Sequence, residues 1–301
     1  MPRFVNYRPA GSTAAPLLAF GDPPFTIPVA AGQWEVNDGN DWLPAVAVTE
    51  AAAAAAYESW TGEAWFDFSD STTITQSSGA ITVVSNKRSG GDGLTAGGVA
   101  GAFQFVPDVR NGRAVARLTR DVSNAANTPR LSTINNTGPL SLRFQGDDKP
   151  YVVLSAYAPT DTNTHFVWSA GTTGPQNVAL IRRDATPSSV RREVVPGTTN
   201  DVTFPAQASG AWRVVAVKHD GKTVTIWDNS LTPAIAAAAQ DTGPTSANAF
   251  FRVGAGMAAS NFATAQGNCD YGEIVVDGIK TDAEIQAAIS ALATKWGITL
   301  A

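Results

Sequence analysis

The chain has 301 residues, with 26 Asp and Glu against 21 Lys and Arg, a net charge of -5 and only 16% charged residues in all. Without clustered Lys and Arg it lacks the positive surface that a phosphate backbone requires, so nucleic acid is excluded as a general partner. A single cysteine, Cys269, excludes an intrachain disulfide, and the two histidines, His165 and His219, are too few and too distant in sequence for a zinc motif.

From the N-terminus, MPRFVNYRPAGSTAAPLLAF breaks every apolar stretch with Pro, Arg or Asn, whereas a secretory signal needs roughly 7 to 15 apolar residues after a basic start. No signal peptide is expected. Seven of the 18 prolines fall in the first 44 residues, which predicts an extended arm able to supply few ladder donors. Phe4, Tyr7, Phe20, Phe25 and Trp34 make this arm more apolar than a flexible linker and mark it as an anchoring segment, packed on the chain's own globular part or on a neighbouring subunit. The alanine run at 51–56, opened by Thr49, predicts a short helix. A bilayer takes about 20 apolar residues, so no membrane insertion is expected.

Beyond Trp60 the pattern changes to short strands separated by turns, at 63–68, 80–84, 103–106, 113–118, 140–145, 151–157, 165–169, 177–182, 191–195, 212–218, 223–227, 249–254 and 272–276. That many strands imply two large sheets. In WRVVAVKHDGKTVTIWD, a two-residue turn at Asp220-Gly221 pairs His219 with Lys222 and puts Val215, Val217, Val224 and Ile226 on one face, with Lys218, Thr223 and Thr225 on the other. His219 then falls on an exposed hairpin shoulder. The end of the chain reads differently: Thr281 and Glu284 form a capping box, Ile285, Ala288, Ile289, Leu292 and Trp296 share one helical stripe, and Gly297 supplies the stop. Such a helix needs a surface to lie on, because about 15 residues are marginal alone.

Trp65 to Asp70 followed by Thr72-Thr73-Ile74-Thr75, then Asn111 to Leu118, the Trp212-led strand with its Asp220-Gly221 hairpin, and the closing strand, capped helix and Lys295-Trp296-Gly297-Ile298 occur in one order. Together they resemble the laminin-G-like, concanavalin-A-like domains found in phage virion proteins. The resemblance covers residues 60–301 and implies an all-β, two-sheet antiparallel jelly-roll sandwich closed by a short C-terminal helix, preceded by residues 1–59 as an extended arm. It departs from the family's aromatic-Gly-Asp stretch, present here only as Phe144-Gln145-Gly146-Asp147-Asp148.

The fold hosts sugar binding, glycan cleavage, adhesion and structural roles, so function has to come from sites. A glycosidase needs two carboxylates about 5 to 10 Å apart, and the only i, i+2 pair, Asp282 with Glu284, lies in the first helical turn, where capping accounts for it. Glu63 with Asp67 and Glu273 with Asp277 lie about 13 Å apart along a strand, which leaves cross-strand pairs open. Cys269 has no base beside it and reads as a small buried residue. Asp161, Asn163, His165 and Trp168 are the groups that sugar hydroxyls and ring faces require, and Arg182 and Arg183, near Arg191 and Arg192, suit an acidic polysaccharide; an Asx turn and solvated strand ends explain the same residues structurally. The glycine-rich stretch at 89–98 lacks the Lys and Ser/Thr of a phosphate loop. No dense acidic loop is visible, so calcium is left unassigned and no cofactor is expected.

The leading expectation is a noncatalytic virion structural protein, made in the host cytoplasm and displayed on a phage or phage-like particle. It would contact other virion proteins through its arm, form a homo-oligomer and present candidate sites to host-surface polysaccharide. A polysaccharide-degrading enzyme and a bacterial adhesin or carbohydrate-binding module are the alternatives.

Overall fold

The structure, a computed structural model, describes residues 56–88, 90–98, 101–119, 129–134, 137–144, 149–171, 177–195, 198–239, 249–255 and 267–301, and the backbone of five earlier strands. Those strands are β1 (Arg3–Pro9), β2 (Leu17–Gly21), β3 (Thr26–Ile27), β4 (Trp34–Asn37) and β5 (Trp42–Ala47), which pair with one another in the order β2-β1-β4-β5-β3. The first residues therefore supply more ladder pairing than their proline content suggests. Pro44 faces Glu35 of β4, while among the described residues β3 meets β5 only at Val46 and Ala47, so Pro44 has no partner on that side. Phe4 and Phe20 are Cα partners in this sheet, as are Tyr7 and Leu17, and Pro9 and Trp34, whereas Phe25 lies outside the described residues. Of the expected alanine helix, 56–58 are helical and the preceding alanines lie outside the described residues.

The remainder comprises β6 (Ala64–Asp67), β7 (Ile74–Ser77), β8 (Ala80–Val84), β9 (Leu94–Gly97), β10 (Phe103–Arg110), β11 (Arg113–Leu118), β12 (Arg130–Thr133), α1 (Pro139–Arg143), β13 (Tyr151–Pro159), β14 (His165–Gly171), β15 (Asn177–Arg182), β16 (Ser188–Val195), β17 (Thr198–Phe204), β18 (Arg213–His219), β19 (Thr223–Asp228), β20 (Ile235–Ala239), β21 (Phe250–Val253), β22 (Cys269–Asp277) and α2 (Asp282–Trp296). One layer runs β20-β19-β18-β13-β22. The far edge of β22 is divided between β11, which pairs with 269–271, and β6, which pairs with 273–276; β10 follows β11. The other layer runs β17-β16-β15-β14-β21-β12-β9-β8-β7, and a single pairing of Ala80 with Gln104 links the two at one side. Every pairing in the sandwich is antiparallel, as expected for a jelly roll.

Two apolar cores explain why β13 and β22 are buried at every position. Between the layers, Val153 and Tyr157 of β13 and Ile274 and Val276 of β22 meet Trp168, Leu180, Phe251 and Val253. On the outer face, Val152, Leu154, Ala156 and Val275 are covered instead by Ile285, Ala288, Ile289, Leu292 and Trp296 of α2. The terminal helix is thus a lid over one sheet, its apolar side chains each contributing about 1.5 to 3 kcal/mol where fully buried. Thr281 and Glu284 close the capping box, and Gly297 ends the helix at φ 58°. Gly272 lets the lid sit flat, since a Cβ there would lie 2.6 Å from the Trp296 ring.

Three expectations need correction. The stretch 140–145 is the helix α1, because Pro139 occupies its first turn with Gly138 as N-cap, a start that favours helix over strand. The β18–β19 hairpin pairs His219 with Val224, two residues from the expected register. Asp220 causes the shift: its carboxylate accepts from the Lys222 and Thr223 amides, at 2.9 and 2.7 Å, so Gly221 and Lys222 form the turn centre, with Gly221 at φ 98°. A slip of two preserves side-chain parity, and Val215, Val217, Val224 and Ile226 all reach the inter-sheet core. His219 is buried, not exposed; it stacks on Tyr151 at 5.2 Å and accepts from the Gly221 amide.

Candidate functional site

At the end of the sandwich where β13 stops, the polar residues singled out in the sequence come together as a structural knot. Arg182 is fully buried. Its guanidinium donates to the carbonyls of Gln207 (2.7 Å), Asp161 (2.8 Å) and Asn163 (3.0 Å), and to Asp184 Oδ1 (2.7 Å). The Asp161 carboxylate accepts from the Asn163 and Asn268 amides at 2.9 and 2.8 Å, which makes it an Asx turn feeding β14. Asn163 is exposed. Arg183 donates to the Pro187 carbonyl and Ser189 Oγ, both at 3.0 Å, while Arg191 forms a two-point pair with Asp201.

His165 and Trp168 are fully buried, so neither ring is presented to a sugar at the surface; both belong to β14, whose every position is covered. Nδ1 of His165 donates to the Gly267 carbonyl at 2.9 Å, since a carbonyl can only accept. The other ring nitrogen then accepts from the Tyr271 hydroxyl. Burial depresses the imidazole to about 4, keeping it neutral. Cys269 is buried and its thiol is pushed far up by desolvation, the opposite of an activated nucleophile.

The cross-strand carboxylates that one-dimensional spacing left open are Asp67 and Glu273, which are direct register partners on β6 and β22. Both bind Lys295 Nζ, at 2.8 and 2.7 Å, and Glu273 also accepts from the indoles of Trp65 and Trp296. Burial raises the Glu273 carboxyl; Asp67, despite its own burial, is held low by Lys295, Ser69 and Lys87. Both side chains are buried beneath α2. Among the described residues there is no group of three or more His, Cys, Asp or Glu able to hold a metal ion.

At the opposite end of β13, about 30 Å away by strand length, the surface carries an open, shallow pocket. A cavity of about 340 Å³ is lined by Glu63, Pro139, Leu142, Arg143 and Lys149. Helix α1 forms one wall. Arg143 is fixed by two N–H bonds to Glu63 Oε1, the Nε bond at 2.8 Å, and by one to the Pro150 carbonyl at 3.2 Å. The second oxygen of Glu63 is buried without a partner. Lys149 gives one of its donors to the Leu142 carbonyl at 2.7 Å. Leu142 remains 44% exposed, and Ile279 nearby in sequence to the β22 end is 49% exposed. Apolar side chains beside an ammonium with spare donors suit a polyhydroxylated ring, and the volume lies at the small end of ligand pockets. Sequence reasoning missed this site. Its signal was the departure from the family pattern at Phe144 to Asp148, directly beside Arg143 and Lys149; 145–148 lie outside the described residues.

Comparison with protein-family models and with curated proteins finds no match. Among solved structures, the chain is similar to domain 4 of AbnA, a GH43 extracellular arabinanase from Geobacillus stearothermophilus in complex with arabinotriose, with TM-score 0.51 and 18% identity over 76% of this chain and 98% of that one. The binding domain of botulinum neurotoxin DC in complex with SialylT gives 0.53 and 8% identity, covering 79% of this chain and 54% of that one. The fold is an all-β jelly-roll sandwich. A GH54 α-L-arabinofuranosidase soaked with 4-nitrophenyl α-L-arabinofuranoside gives 0.54 and 12% identity, over 81% of this chain and 65% of that one. Identities this low establish a shared sandwich and leave the chemistry of this jelly roll to its own residues.

Proposed function

We propose that this jelly roll is a noncatalytic glycan-binding protein, displayed on a virus-like particle and attached through its N-terminal segment. The observation carrying the glycan half is the pocket, whose lining offers spare donors on Lys149 and apolar contact from Leu142 and Pro139, with Arg143 held in place on Glu63. The sandwich neighbours complexed with arabinotriose and SialylT support the same class of ligand. The noncatalytic half is supported by the Asp67–Glu273 pair being buried beneath α2 and bound to Lys295. A single shallow site binds weakly, and repeated copies on a particle raise its strength through avidity.

The test is a glycan array probed with the full chain. Binding to a surface polysaccharide that is lost in Lys149→Ala, with no shortening of the polysaccharide over time, is the expected result. Release of oligosaccharides would instead make the protein an enzyme. For the particle half, deletion of residues 1–45 is expected to leave the sandwich folded and to abolish incorporation; full incorporation of the truncated chain would remove the anchoring role.

A further inference from the structure

Lys295 is the one lysine among the described residues that is buried, at 7% exposure. Three elements distant in sequence converge on it: β6 carries Asp67, β22 carries Glu273 directly opposite, and the last turn of α2 carries the lysine. Nζ lies 2.8 Å from Asp67 Oδ2 and 2.7 Å from Glu273 Oε2. Trp65 and Trp296 donate to Glu273, and Trp212 stacks on Trp296 at 5.1 Å, so the cluster sits in an aromatic enclosure. The other charges facing it are Lys87, with Nζ 3.5 Å from Asp67 Oδ2 and 2.9 Å from Asp70 Oδ2, and Arg113, which donates to the Lys295 carbonyl at 3.1 Å.

One carboxylate would suffice to balance one ammonium. Two, held on the same nitrogen in a dry enclosure, supply an electrophile and a proton carrier for the same amine. We propose that Lys295 and Asp67 join in an intramolecular isopeptide bond, Nζ to Cγ, with Glu273 moving the protons.

The hydrogen bonds assign the roles. Asp67 Oδ1 accepts from the Ser69 amide at 3.0 Å and the Ser69 hydroxyl at 2.6 Å, two donors placed to stabilise the charge that develops on that oxygen. Asp67 Oδ2, facing Lys295 and Lys87, is the leaving oxygen. Glu273 takes a proton from the ammonium, freeing the lone pair on Nζ, and delivers it to Asp67 Oδ2, so that the amine attacks the Cγ of a neutral carboxyl. Glu273 then carries a second proton from the nitrogen to the same oxygen. The Cγ–Oδ2 bond breaks and water leaves. Of the three hydrogens on the ammonium, two depart in the water and one stays on the amide nitrogen, and Glu273 ends in its starting protonation state. Nζ already touches the leaving oxygen, so bond formation asks only that the amine move from Oδ2 onto Cγ, and the product replaces two buried charges by a neutral amide. The bond ties the first strand of the sandwich to its lid, closing a loop of 228 residues.

The test is the intact mass of the denatured full chain, with allowance for Met1. The expected mass is lower than the sequence sum by one water, and digestion should yield two peptides joined through Lys295 and Asp67. Lys295→Arg and Glu273→Gln should each restore the full mass, and Asp67→Asn should form the same link with loss of ammonia in place of water. A wild-type chain at its full sequence mass after prolonged incubation in the folded state overturns the proposal, as does a water loss that persists in Lys295→Arg.

Discussion

The two ends of β13 hold similar kinds of residue and use them in opposite ways. At the end near Pro159, Arg182 spends its donors on Asp184 and on backbone carbonyls, and the Asp161 and Asp184 carboxylates accept from backbone amides, which fixes the loops. At the end near Tyr151, Arg143 is equally fixed on Glu63, but among the described residues most of the Lys149 ammonium is not spent, and it stands beside open space. Arginine and carboxylate alone therefore do not mark a ligand site. Unused hydrogen-bonding capacity beside a cavity does.

The sharpest way to break this contrast is Arg182→Ala. Removing a buried guanidinium leaves the Gln207, Asp161 and Asn163 carbonyls without that donor and Asp184 with the Ser209 amide alone. The expected loss is about 3 to 5 kcal/mol in chemical unfolding, with glycan binding by the folded fraction unchanged. A binding loss without destabilisation would move the ligand site to this end.

The next effect is on pH dependence at the same end. The folded-state imidazole of His165 titrates at about 4 against an ordinary 6.5, so the fold favours its neutral form. The corresponding stability is present in full above pH 6.5 and is lost as the pH falls through 4, a contribution of order 3 kcal/mol. His165→Gln should flatten that part of the stability profile; an unchanged slope would mean that carboxylates alone govern acid unfolding. A smaller effect is expected from Gly272→Ala, whose Cβ meets the Trp296 ring. About 1 to 3 kcal/mol should be lost as the α2 lid is pushed off the sheet, visible as an altered tryptophan spectrum.

The sequence carried what depends on neighbours along the chain. The capping box at Thr281 and Glu284, the stripe from Ile285 to Trp296 and the faces of the β18–β19 hairpin are set by spacings of two, three and four residues, and all hold in three dimensions. Even the hairpin's wrong register kept its faces, because parity survives a shift of two. The pocket and the Asp67–Lys295–Glu273 cluster were not legible, since the pocket joins α1 to Glu63 before β6 and Lys149 before β13, and the cluster joins β6, β22 and α2, all brought together only by the fold. The candidate residues at 161–183 were chosen by type. What sequence could not reveal was that one arginine would consume their backbone partners and that β14 would be covered on both faces. The short apolar run of α1 misread as a strand shows the same limit, because only its Gly138-Pro139 start distinguishes it.

Central to this account is that the cavity, not the opposite end, holds sugar. Lys149 and Leu142 are exposed enough for truncation to alter stability by no more than about 0.5 kcal/mol. Isothermal titration or array binding of the full chain, presented in many copies to the polysaccharide it selects, should therefore show binding in the wild type and its loss in the Lys149→Ala, Leu142→Ala double variant at unchanged unfolding midpoint. Equal binding by the wild type and the double variant would contradict the assignment.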